Sequence, residues 1–113
     1  VAHSFGCLAS LYAATQLPEK ISSLFLVAPA DPELLGVQEG LIYHPTSVAG
    51  RIIASSNDPW MSLDRVCLWS QRWRLPMSLL GPLRHINAES GHGVWPEGLE
   101  LLRWHCQQLA KAA

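Results

Sequence analysis

Charge is scarce in this sequence and neither sign dominates. Charged side chains make up 15% of its 113 residues, and the formal net charge is −1. That leaves out the basic surface needed to hold nucleic acid or an anionic membrane. Long apolar runs are missing as well. Stretches such as "SLFLVAPA" fall well short of the roughly 20 residues of a spanning helix. Cysteine is sparse: Cys7, Cys67 and Cys106 are far apart and form no C-x-x-C pair. An odd, unpaired set excludes a disulfide framework and gives no zinc signature. Each stands among apolar neighbours, which predicts buried free thiols and a reducing, cytoplasmic setting. Repeats, low-complexity tracts and charge blocks are also absent, so residues 1–113 are expected to form a single domain.

What is present is a substantial apolar fraction, 49%, arranged in alternating element types. "GCLASLYAATQLPEK" is rich in Ala and Leu and closed by Pro18, which predicts a helix. "ISSLFLVAPAD" is a short apolar run bounded by Pro29 and Pro32, the pattern of a fully buried parallel strand. "PELLGVQEGLIYHP" is broken by Gly and Pro and is expected to be irregular, with at most a short helical turn. A second strand is expected in "VAGRIIASSNDP", centred on Arg51 to Ser55 with Asp58 just past its end. "SLDRVCLWSQRW" spaces Leu63, Val66, Cys67 and Trp73 as a helix does, with Ser62 or Asp64 serving its first turn. "LPMSLLGPL" is a weaker strand. "PEGLELLRWHCQQLAKA" opens a last helix at Pro96, with Leu99, Leu102, Cys106 and Leu109 on one face.

Strands alternating with helices predict an α/β fold, a parallel sheet flanked by helices on both faces. In such sheets function gathers at the carboxyl ends of the strands. Ser4, Asp58 and His85 all fall there.

"AHSFG", followed at once by a helix, is a variant of the G-x-S-x-G nucleophile elbow with Ala2 in place of the first glycine. A sharp strand-to-helix turn holds such a serine in a strained conformation and leaves no room for bulk two residues away on either side. Ala2 and Gly6 meet that demand. The free N–H groups of the helix start favour a developing negative charge, and the backbone N–H of Phe5 would supply half of an oxyanion hole. A nucleophilic serine needs a base, and the base a carboxylate to orient it. Asp58 and His85 follow Ser4 in the order Ser, Asp, His, each on a loop after a strand.

The stretches "AHSFG", "LFLVAPADP", "ASSNDPW" and "HINAESGHGVWPEG" resemble a family of small serine hydrolases, the retinoblastoma-binding protein 9-like and YdeN-like proteins. The resemblance runs over nearly the whole chain. It implies an α/β-hydrolase fold, with Ser4 as nucleophile, Asp58 as acid and His85 as base. Arg84 stands where the family usually has Gly, and Asn57 where it usually has an acidic residue. The chain opens within what reads as the nucleophile strand, so it is expected to be the C-terminal portion of a protein of about 170–200 residues. The N-terminal strands and the second oxyanion donor would then lie upstream, and the isolated piece, with open sheet edges, is expected to be marginal or aggregation-prone.

Rivals exist for each role. His92, between glycines in "SGHGVW", lies further past the strand than His85. Asp31 also ends a strand before a proline, but the resemblance favours Asp58. Asp64 fits a helix's first turn. His3 is expected to be a packing or pocket-wall residue beside the substrate, His44 a loop residue and His105 a helix-surface one. Trp60 and Trp95 are candidates to line an acyl pocket, whereas Trp69, Trp73 and Trp104 read as packing. A metal site from His85, Glu89 and His92 lacks ligand spacing, and no metal or cofactor is expected. The expected activity is hydrolysis of small carboxylic esters or related acyl compounds, with specificity set between Leu34 and Pro45. The alternative is a hydrolase-fold binding protein with little turnover and a protein partner.

Overall fold

The computed structural model describes residues 1–37 and 40–112. The chain runs β1 (Ala2–Ser4), α1 (Phe5–Gln16), β2 (Leu24–Pro29), β3 (Gly50–Ala54), α2 (Leu63–Trp73), β4 (Met77–Leu79) and α3 (Pro96–Ala112). Short 3₁₀ turns at Pro18–Lys20, Leu41–Tyr43 and Ala88–Ser90 punctuate the connections. The four strands pair in the order β1-β2-β3-β4, all parallel, as the alternation of element types predicts.

β2 is buried at all six positions, because its two faces meet different layers. Leu24 and Leu26 join Leu8 and Leu11 of α1 and Trp69 and Trp73 of α2 in one core. Phe25 and Val27 point to the other face and pack with Ile53, Ile86 and the α3 leucines Leu101 and Leu102. Each such side chain contributes roughly 1.5–3 kcal/mol on full burial. The rings of Trp69 and Trp73 stack at 5.2 Å, and the Trp73 indole N–H donates to the carbonyl of Ile42, tying the long β2–β3 connection to α2.

The helices begin and end for local reasons. α1 stops at Gln16, two residues before Pro18, which instead opens the 3₁₀ turn. The Ser62 hydroxyl accepts the N–H of Arg65 at 3.4 Å, and Asp64 lies in the first turn, so both residues serve that helix start. Tertiary packing shifts two inward faces from their expected positions. In α2 the buried residues are Val66, Trp69 and Trp73, while Leu63 is exposed and Cys67 half-buried. In α3 Gly98 and His105 face the sheet, whereas Leu99 and Cys106 are exposed. Apolar residues populate more than one phase of this helix. The contact of Gly98 with the Trp95 ring and the bond from Ser23 to His105 select which phase turns inward. Of the three free thiols only Cys7 is therefore fully buried, and desolvation pushes it up to about 12. Among the described residues no helix is long and apolar enough to cross a membrane.

Candidate active site

Ser4 ends β1 and immediately precedes α1, with φ 57° and ψ −124°. That is a left-handed, strained conformation for an L-residue, and it persists only because its surroundings fix it. They do so through β2. The β1–β2 register slips between His3 and Ser4, a bulge forms at Ala28 (φ 46°), and the Ser4 carbonyl accepts the N–H of Ala30 at 3.2 Å. A bulge of this kind bends the strand end locally. Phe5 opens α1, so its N–H belongs to the first turn, where no intrahelical acceptor exists.

Asp58 lies on the loop after β3 and is buried, and His85 lies on the loop after β4 with its ring largely covered. His85 Nδ1 is 3.0 Å from each carboxylate oxygen of Asp58, and His85 Nε2 is 3.0 Å from Ser4 Oγ. An ionised carboxylate only accepts, so Nδ1 carries the proton and Nε2 offers its lone pair to the hydroxyl. Asp58 Oδ1 also accepts the backbone N–H of Trp60 at 2.9 Å, which orients the carboxylate. The structure thus brings together three side chains separated by up to 81 residues in sequence.

A second layer of bonds, which sequence reasoning missed, ties the two loops to each other. Asn57 Oδ1 accepts the backbone N–H of Arg84 at 2.7 Å and the hydroxyl of Ser55 at 3.1 Å. Ser55 Oγ in turn accepts the N–H of Leu83 at 3.0 Å. Arg84 and Ile86 flank His85 at φ 54° and 49°. The loop therefore takes two left-handed residues in three. This explains why glycine suits position 84 and shows that arginine is accommodated there. The only hint in the sequence was the polar run "SSN" before Asp58.

The remaining candidates separate. Trp60, Phe5, Leu34 and Leu35 line a cavity of about 220 Å³ that includes Ser4 and His85. His3 does not line that cavity. It is exposed, its Nε2–H donates to the His85 carbonyl at 2.8 Å, and its ring lies 4.8 Å from the imidazole. His92 bonds Ser90 Oγ at 2.9 Å and meets the edge of Trp95, away from Ser4. Trp95 packs against the α3 core and lines other depressions. Asp31 borders the Ser4 cavity, but its carboxylate is held by Arg65 Nε at 2.7 Å and by the Trp69 indole N–H at 3.1 Å. His105, expected on the surface, is buried and bonded to Ser23. His44 is an exposed loop residue. Among the described residues no cluster of His, Cys, Asp or Glu has the arrangement of a metal site.

A parallel sheet carrying a strained serine at a strand-to-helix turn defines an α/β hydrolase, and known proteins agree. The serine hydrolase family model matches residues 1–104. A YdeN-like protein of Pectobacterium atrosepticum, assigned as a hydrolase, superposes with a TM-score of 0.86 at 39% identity. That match covers 95% of this chain and 58% of the other. The esterase domain of a Rhodothermus marinus protein superposes with a TM-score of 0.65 at 18% identity, over 91% of this chain and 57% of that one, and speaks for the fold alone. No curated protein matches. The chain belongs to the serine hydrolase family, and it spans less than two thirds of either solved structure.

Proposed function

We propose that the protein hydrolyses carboxylic esters and related small acyl compounds through an acyl-enzyme, with Ser4 as nucleophile, His85 as base and acid, and Asp58 as the orienting carboxylate. The observation that carries this reading is the pair of contacts His85 makes, 3.0 Å to Ser4 Oγ and 3.0 Å to Asp58. In acylation Ser4 Oγ bonds to the carbonyl carbon while its proton passes to His85 Nε2. The carbonyl oxygen takes the negative charge beside the Phe5 N–H. Collapse breaks the bond to the leaving group, whose oxygen receives the proton from His85. Water then repeats the sequence on the acyl-serine, releasing the acid and restoring the hydroxyl. Asp58 holds the imidazole in the productive tautomer and stabilises its cation, and Trp60 borders the acyl group.

A fluorophosphonate probe tests this reading. Labelling at Ser4 that is lost on heating and in Ser4→Ala is the expected result, and Asp58→Asn should lower kcat by about 10⁴. Absence of labelling in folded protein overturns the proposal and favours a binding module on the same fold.

A further inference from the structure

Two depressions of opposite character meet at His85 and Trp60. The first, about 220 Å³, holds Ser4 and is walled by Phe5, Ala30, Leu34, Leu35 and Trp60. The second, about 380 Å³, lacks Ser4 and is walled by Asn57, Arg84, Asn87, Glu89 and Ser90. Trp60 and His85 are the residues they share, so these two residues border both an apolar lobe and a polar one.

The chemistry proposed above assigns a role to each lobe. The leaving-group oxygen takes its proton from the imidazole, so the leaving group must lie on the His85 side, where the polar lobe opens. The acyl carbon must stay between Ser4 Oγ and the Phe5 N–H, so its substituent enters the lobe that both residues line. That lobe is smaller than the roughly 300–1,000 Å³ of clefts that enclose drug-sized ligands. The one acidic residue among the described residues of its wall, Asp31, is already bound by Arg65, by Trp69 and by the N–H of Glu33 at 3.0 Å. Among the described residues that line it, no free carboxylate is left to receive a cationic acyl group. In the polar lobe, by contrast, Arg84 is exposed and enters no ion pair among the described residues.

We infer that the site sorts its substrate into a short, uncharged, apolar acyl group held against Leu34, Leu35 and Trp60 and a polar leaving group facing Arg84, Asn87 and Glu89. The substrate class is then short-chain acyl esters of polar alcohols, not fatty-acyl lipids and not aminoacyl esters. This rests on the function proposed above, and the test separates the two. One portion of purified protein is labelled with a fluorophosphonate, which blocks Ser4, and a separate unlabelled portion is assayed on two matched series. One varies the acyl group on 4-nitrophenol: acetate, butyrate, decanoate and valinate. The other holds butyrate and varies the alcohol, glycerol against n-butanol.

Butyrate should exceed decanoate and valinate by about tenfold or more in kcat/KM, and glyceryl butyrate should exceed butyl butyrate. Leu34→Trp, at an exposed wall position, should shift the optimum from butyrate to acetate. Arg84→Leu should erase the preference for glycerol. A protein that labels at Ser4 in one portion and, unlabelled, favours decanoate, valinate or butyl butyrate overturns the inference while leaving the proposed function standing. So does one whose two preferences are unmoved by both variants. Failure of Ser4 to label in folded protein overturns both.

Discussion

The backbone N–H of Arg84 donates to Asn57 Oδ1 at 2.7 Å, joining the residue before His85 to the residue before Asp58. Two loops from different strands are thereby held in register one residue away from the groups they present. Asn57 is exposed and its side chain bonds Arg84 and Ser55, so under the proposed function its expected role is to position the imidazole. Asn57→Ala should cost about 0.5–1.5 kcal/mol of stability per bond lost. It should also lower kcat by about ten- to a hundredfold through misplacement of the imidazole, with KM little changed. Asn57→Asp keeps the accepting oxygen and should recover most of kcat. Steady-state kinetics on both variants check this, and equal losses of kcat in the two would contradict a positioning role.

The strain at Ser4 gives a second outcome, measurable without substrate. Its φ of 57° and ψ of −124° suit glycine and no L-residue. Relief of such strain is worth about 1–3 kcal/mol, offset in part by the roughly 0.5–1 kcal/mol of extra chain entropy that glycine loses on folding. Ser4→Gly should therefore be more stable than Ser4→Ala by about 1 kcal/mol, although both lack the hydroxyl. Urea unfolding of the pair reads the difference. An alanine variant as stable as the glycine one would mean that the turn relaxes and stores nothing.

Much of the fold was legible because its signals are local. The β2 run needs both faces covered, and Pro18 and Pro96 mark helix boundaries that the backbone obeys. Ser4, Asp58 and His85 were candidates because each falls at a strand's carboxyl end in the order Ser, Asp, His, but Asp31 also ends a strand, and only the resemblance to the family favoured Asp58 over it. The phase of α3 was not legible. Leucines populate more than one of its faces, and a glycine under a tryptophan ring together with one buried histidine decides which face turns inward. The Asn57–Arg84 bond was hidden for a different reason, since a side chain meeting a backbone N–H 27 residues away leaves no pattern in residue types.

Asp31 carries a pH dependence of known sign. Burial pushes its carboxyl up, but the hydrogen bonds from Arg65 and Trp69 and the Arg65 charge outweigh this and hold it below the ordinary value. A carboxylate depressed in the folded state stabilises fully above its unfolded value of about 3.9, and that contribution is lost as pH falls through the folded value. Asp31→Asn should therefore be less stable than the parent at neutral pH. The gap should close progressively below about pH 4. Denaturant titrations across that range read the gap, and one that stays constant with pH would mean the Arg65 contact adds nothing to folding.

His105 acts in a different window with the same sense. Burial, and then the positive charge of Arg51, lower its pKa below the ordinary histidine value, so the fold favours the neutral ring. Ser23 Oγ meets its Nε2 at 3.0 Å, and the Phe25 ring lies 5.4 Å away. The unfolded chain binds the proton more readily, so this residue's contribution is complete above about pH 6.5 and declines as pH falls through the depressed folded value. Because His105 lies on the inward face of α3, the loss weakens the docking of that helix on the sheet. His105→Gln keeps an acceptor for Ser23 but does not titrate in this range. The parent should lose stability below about pH 6.5 more steeply than the glutamine variant, with the protection factors of the α3 amides, corrected for the intrinsic pH dependence of exchange, falling at the acid end. Parallel slopes for the two proteins would show that the ring is not what couples this helix to protons.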